Sequence, residues 1–187
     1  MLVHGSAIRP VPAFARVDRR VLEDLESELG RDGPEARAEL DRAFARFERT
    51  QPELAARFAA VLGDPLEETA LALGYFLSIV VWLAFERSFG ERLDEVDAAA
   101  LEATLASVLV DEELHAARTR DPFEPGPLLD ATQPGVSTFV REHVAVALAA
   151  KGVDRTGVER VNRAVVELTL ALSYAVSPSG GSRVEAH

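Results

Sequence analysis

Glu112-Glu113-Leu114-His115 sets a carboxylate and an imidazole three residues apart on a stretch with helical apolar spacing. Residues at that offset are neighbours on a helix surface. Leu101, Leu105 and Val108 define an apolar face that Glu112 and His115 continue, with Leu109 beside it. Glu-x-x-His is the half-motif from which helical bundles build di-iron and di-manganese sites. His143 is a second polar group in an apolar setting. Val136, Val140, Val144 and Ala147 form a face, flanked by Phe139 and Val146, with the imidazole near its centre. An unmet buried ring N–H costs about 1–3 kcal/mol, so His143 needs a partner.

If the two helices pack antiparallel, His143 approaches Glu112 and His115. A Glu/His/His set suits zinc, iron or manganese with a coordination position left open, which is hydrolase or oxidoreductase chemistry. The structural alternative is that Glu112 and His115 hydrogen-bond each other or cap a neighbouring helix, and that His143 is a satisfied core histidine. The complete di-metal pattern also needs a second Glu-x-x-His and two further inward glutamates. The last helix offers only Glu159-x-x-Asn162. Its mid-helix acid, Glu167, falls on the side of Arg160 and Arg163, opposite Val161, Val165, Leu168 and Leu172. Spacing therefore reads Glu167 as a surface ion-pair partner. Glu68 and Glu86, at the ends of the most apolar helix, are not singled out by any pattern.

Other chemistries lack their signatures. No Gly-rich phosphate loop and no Gly-x-Ser-x-Gly elbow occurs. There is no cysteine, hence no disulfide, thiolate metal site or thiol nucleophile. With 31 acidic residues against 20 basic ones the formal charge is −11, which argues against phosphate backbones and anionic lipid as partners. Every basic residue but Lys151 is an arginine, the usage of a GC-rich bacterial genome. The N-terminal stretch has no apolar signal region, since Ile8 is followed by Arg9, Pro10 and Pro12. A cytoplasmic bacterial protein is expected.

The elements that would position these groups are helical throughout. The apolar spacing predicts a single-domain, all-α bundle of six to seven helices. Residues 14–62 read as an N-terminal helical subdomain and 64–176 as the core bundle, with 1–13 and 178–187 as flexible termini. Asp64, Pro65 and Glu67 predict a helix from about Pro65 to Ser88. Between Ala70 and Phe85 that helix is uncharged around its whole circumference, so it must be surrounded. The run spans only ~24 Å, short of the ~30 Å hydrocarbon core, and the expectation is a buried helix with no membrane role. Ala70, Gly74 and Ser78 make a small-residue stripe that lets another backbone approach. The predicted fifth, sixth and seventh helices run from about Asp97 to Arg118, Val136 to Ala150 and Gly157 to Val176. A proline-rich stretch without periodicity separates the first two of these.

The leading functional expectation is a non-enzymatic interaction or regulatory module. It would act by self-association, as a homodimer in which the fourth or seventh helix meets its twin, and would bind a protein partner through helix faces or the proline-rich loop. The runner-up is the metal protein using Glu112, His115 and His143. A third is an apolar-ligand carrier with the Gly74/Ser78 stripe lining its pocket.

Overall fold

Short polar residues and prolines mark where each helix starts. The computed structural model describes residues 10–30, 33–63, 65–115 and 121–179, the side chain of His115 excepted. α1 (Arg19–Leu29) begins where the Asp18 carboxylate accepts the Arg20 N–H at 2.9 Å. α2 (Pro34–Thr50) and α3 (Pro52–Gly63) open on prolines, whose missing N–H is no loss in a first turn. α4 (Glu68–Phe89) is capped by Glu67, which accepts the Thr69 N–H at 3.1 Å and its hydroxyl at 3.0 Å. The helix therefore starts later than Pro65, because Glu67 folds back to serve as its cap. Asp64 lies outside the described residues. Gly90, at φ 54°, then turns the chain out of α4 in the left-handed region that glycine tolerates. α5 (Ala98–His115) is capped by Asp97, which accepts the Ala100 N–H at 2.7 Å. α6 (Pro127–Thr132) and α7 (Pro134–Leu148) open on prolines, and α8 (Arg155–Tyr174) starts where Asp154 accepts the Thr156 N–H at 3.1 Å. Short 3-10 turns lie at Ala13–Ala15 and Gly90–Arg92.

Among the described residues the fold is all-α, with eight helices and no strand. α6 lies inside the proline-rich stretch. At under two turns it is too short to announce itself by apolar period.

α4 is the centre of the molecule. Every residue from Leu77 to Phe85 is buried, although by length and composition the helical stretch Glu68–Arg92 that contains them could cross a bilayer. α1, α2, α3, α7 and α8 enclose it, α8 most extensively. The small-residue stripe explains that intimacy. A Cβ added to Gly74 would stand 2.7 Å from Leu62 Cδ2 and 3.1 Å from Val161 Cγ2, and one on Gly157 would stand 3.1 Å from the Ala70 Cβ. Val161 and Leu62 thus fill the space against Gly74 that a bound apolar ligand would need. The N-terminal helices share this core. Phe47 of α2 packs on Trp82 of α4 with ring centroids 5.4 Å apart, and Arg46 lies over the indole at 5.2 Å.

Two buried glutamines hold the helices to the intervening chain. The tripeptide Thr-Gln-Pro occurs at 50–52 and 132–134, in each case between two helices. Both glutamines take nearly the same backbone angles, φ −138°, ψ 60° and φ −134°, ψ 62°. Gln133 accepts the Val17 N–H at 3.0 Å and donates to Ala15 O at 2.6 Å and Ser173 Oγ at 2.9 Å. Gln51 accepts the Val96 N–H at 2.9 Å and donates to Asp94 O at 3.0 Å. Each amide therefore pairs with the carbonyl of one residue and the N–H two residues later, as a neighbouring peptide unit would.

Tyr75 gives α4 a pH-sensitive contact with α2. Its ring stacks on Phe44 at 5.1 Å and its hydroxyl donates to Asp41 at 3.2 Å. Burial, with the Asp41 carboxylate close by, pushes the phenol up to about 12. Folding thus favours the neutral ring. The resulting stabilisation is fully present below the unfolded value of ~10 and is lost as the pH rises from there through the folded value. Ultraviolet titration of the phenolate is expected to show a late component that vanishes in Tyr75→Phe, and denaturation midpoints should fall less steeply above ~pH 10 in that variant. An early, unshifted titration assigned to Tyr75 would contradict the contact.

Candidate functional site

α5 has a different character on each side. Its inner face, carrying Leu101, Thr104, Val108 and Asp111, is buried, and the helix packs on α8 and α3. Where its C-terminal half meets α8 there is a cleft of about 470 Å³ walled by Val108, Glu112, Asn162, Arg163 and Val166, with Pro122 closing one side. Asn162 donates through Nδ2 to Pro122 O at 3.2 Å and Glu124 O at 3.3 Å, which fastens that segment to α8. Arg155 adds to this by lying 4.4 Å above the Phe123 ring.

A line of alternating charges crosses the α5, α8 and α3 contacts. Arg163 pairs with Glu112 at 3.0 Å and with Glu167 at 3.3 Å, and Arg57 of α3 reaches Glu167 at 2.9 Å. Glu167 is buried, with a side chain only 4% exposed. This corrects the reading of Glu167 as a surface residue: α3 and α5 cover the side of α8 that carries its charges.

The metal-site residues have separate surroundings. Glu112 lies in the α5–α8 cleft, engaged by Arg163. His143 lies where α7 meets α1 and α4, between the rings of Phe139 and Phe76. Its Nδ1 is 2.9 Å from Phe139 O and its Nε2 is 3.0 Å from the Glu26 carboxylate, so both ring nitrogens are taken by acceptors. α5 packs mainly on α8 and α3 while α7 packs mainly on α8, α4, α6 and α1, and Glu112 and His143 are each engaged by other partners, Arg163 and Glu26. The His115 side chain lies outside the described residues. Among the described residues no three His, Asp or Glu side chains are grouped to hold a metal ion.

The outer face of α5 departs most from an ordinary surface. Ala99, Ala103, Ala106 and Val110 follow one another at spacings of four, three and four, the seam spacing of packed helices. Leu109 is 50% exposed and Leu114 64% exposed beside that seam. Only Glu102 and Glu113 bring charge to this side. Sequence reading used the inner face alone. The outer seam was legible as a second apolar stripe on the same helix. α4 and α8, the helices expected to meet a twin, are enclosed by their own chain and present little face to one. No family model, curated protein or solved structure matches this chain.

Proposed function

We propose that this protein is a non-enzymatic helical interaction module that works by associating with itself through the outward face of α5. The observation that carries this reading is the pair of half-exposed leucines, Leu109 and Leu114, beside a seam of small residues on the outward face of α5. Leaving such a stripe in water forgoes ~25 cal/mol for each Å² of apolar surface that a partner would cover. A second copy is the occupant of this reading, and charge limits where it can dock. The chain carries a net charge of −11, so two copies repel over most of their surfaces. They repel least where charge is sparse, and on α5 that is this face.

Sedimentation velocity or light scattering over a range of concentrations tests the proposal. The wild type is expected to shift towards twice the chain mass as concentration rises. Leu109→Glu with Leu114→Glu should weaken association by at least ~100-fold, because four carboxylates would meet in the interface. Both leucines are solvent-exposed, so circular dichroism of the variant should match the wild type. A wild type that stays monomeric at every concentration, or a double variant that associates as well as the parent, would overturn the reading.

A further inference from the structure

The cleft between α5 and α8 is walled in part by a buried acceptor that the chain itself does not use. Asn162 is 3% exposed and stands in the cleft wall. Its Nδ2 donates to Pro122 O at 3.2 Å and to Glu124 O at 3.3 Å. Turning the amide over would set Oδ1 against those two carbonyls, so the hydrogen bonds fix its orientation. They leave Oδ1 on the other side of the amide, buried, and among the described residues nothing donates to it. A buried acceptor without a donor is unfavourable, and most such groups in folded proteins are paired. A molecule that brings an N–H or O–H into the cleft supplies the missing donor.

The walls define the rest of that molecule. Val108 on α5 and Val166 on α8 give it an apolar side, and Pro122 closes the space. Charge is balanced, because Arg160 and Arg163 line the cleft together with Glu112 and Glu159. Arg163 is already held by Glu112 at 3.0 Å and by Glu167 at 3.3 Å. An ion would have to break into such pairs, and an anion would also meet a chain of net charge −11. At about 470 Å³ the cleft falls within the ~300–1,000 Å³ of small-molecule sites. We infer that it binds a small uncharged molecule with an apolar, ring-sized body and one N–H or O–H group, which donates to Asn162 Oδ1.

One amide then couples ligand to loop. A hydrogen bond accepted by Oδ1 polarises the group and strengthens the two that Nδ2 gives to the backbone at 122–124. Binding therefore fastens that segment more firmly to α8. The outward face of α5 takes no part in this site.

Indole and N-methylindole serve as probes, since they share a ring body and differ in the ring N–H. In NMR titrations read at the Asn162 side-chain amide and the Val108 and Val166 methyl groups, indole is expected to bind with a Kd of ~1 mM. N-methylindole should bind at least ~5-fold more weakly, because it leaves Oδ1 without a donor. The Asn162 amide protons should exchange with solvent more slowly in the indole complex. Tryptamine and indoleacetate, which add a charge to the same ring, should bind no better than indole. In Asn162→Leu the preference for indole over N-methylindole should vanish, whatever the affinity of either. Thr156→Trp, at an exposed position on the rim, should weaken both probes by at least ~10-fold with an unchanged circular dichroism spectrum. Equal binding of the two probes by the wild type would overturn the inference without recourse to any variant. So would tighter binding of either charged compound, or the absence of any shift at these signals with indole or phenol up to ~10 mM.

Discussion

Gln133→Leu is expected to cost about 2–6 kcal/mol of folding stability, because two buried backbone groups lose their partner and each such loss costs ~1–3 kcal/mol. Those groups are the Ala15 carbonyl and the Val17 N–H, on residues that are themselves buried. Leucine fills the volume but offers neither donor nor acceptor. Ser173 is less affected, since its hydroxyl still donates to Thr169 O at 2.7 Å. Gln133→Glu is the sharper variant. It keeps nearly the same shape and an acceptor for Val17, but sets a carboxylate oxygen against the Ala15 carbonyl, and should lose about as much at neutral pH. The matching change at Gln51 should cost less, ~1–3 kcal/mol, because its contact with Asp94 is only part-buried. Denaturant unfolding measures all three. A loss under ~1 kcal/mol for Gln133→Leu would mean that water reaches this junction and that the amide is not what holds residues 15–17.

The two glutamines also show what kind of information a sequence carries openly. Thr-Gln-Pro is written twice, and the repeated tripeptide signals a repeated helix junction. The backbone groups each amide grasps lie far off in the chain, 116 residues away for Val17 and 45 for Val96, and nothing local names them. The same division holds elsewhere. Asp18 and Asp154 act through N–H groups two residues on, so the starts of α1 and α8 are legible from composition. The enclosure of α4 is legible too, because a helix without a polar side has to be surrounded. Glu167 was not legible. Helical period reports what a face is made of, not whether a neighbour covers it, and α3 and α5 cover the charged side of α8. His143 shows the same limit. Its apolar surroundings were evident, but its carboxylate partner, Glu26, sits 117 residues earlier. On α5 the limit ran the other way: both faces carry apolar residues, and reading the inner one as the core stripe concealed that the outer one is left exposed among the described residues.

Glu167 also supports the second large prediction, in which breaking the charged line and removing it altogether should have different effects. Its side chain is 4% exposed while those of Arg57 and Arg163 are 42% and 46% exposed. Glu167→Gln frees two guanidinium groups that already reach water, so the expected loss is modest, ~1–2 kcal/mol. Replacing both arginines leaves the carboxylate in the protein interior with no opposite charge, and Arg57→Met with Arg163→Met should cost ~3–5 kcal/mol. The loss of Arg163 also deprives Glu112 of its partner, which adds to this figure. Removing the third charge reverses the direction. The triple variant with Glu167→Met no longer holds a carboxylate at this buried position, and a methionine layer between α3 and α8 should recover most of the loss, to within ~1–2 kcal/mol of the wild type apart from the share due to Glu112 without Arg163. The comparison of double with triple variants by denaturant unfolding is thus the informative one. A double-arginine variant that loses under ~1 kcal/mol would show that Glu167 is hydrated in solution, and the α3–α8 contact would then owe its stability to packing around Phe58 and Val165 and not to charge.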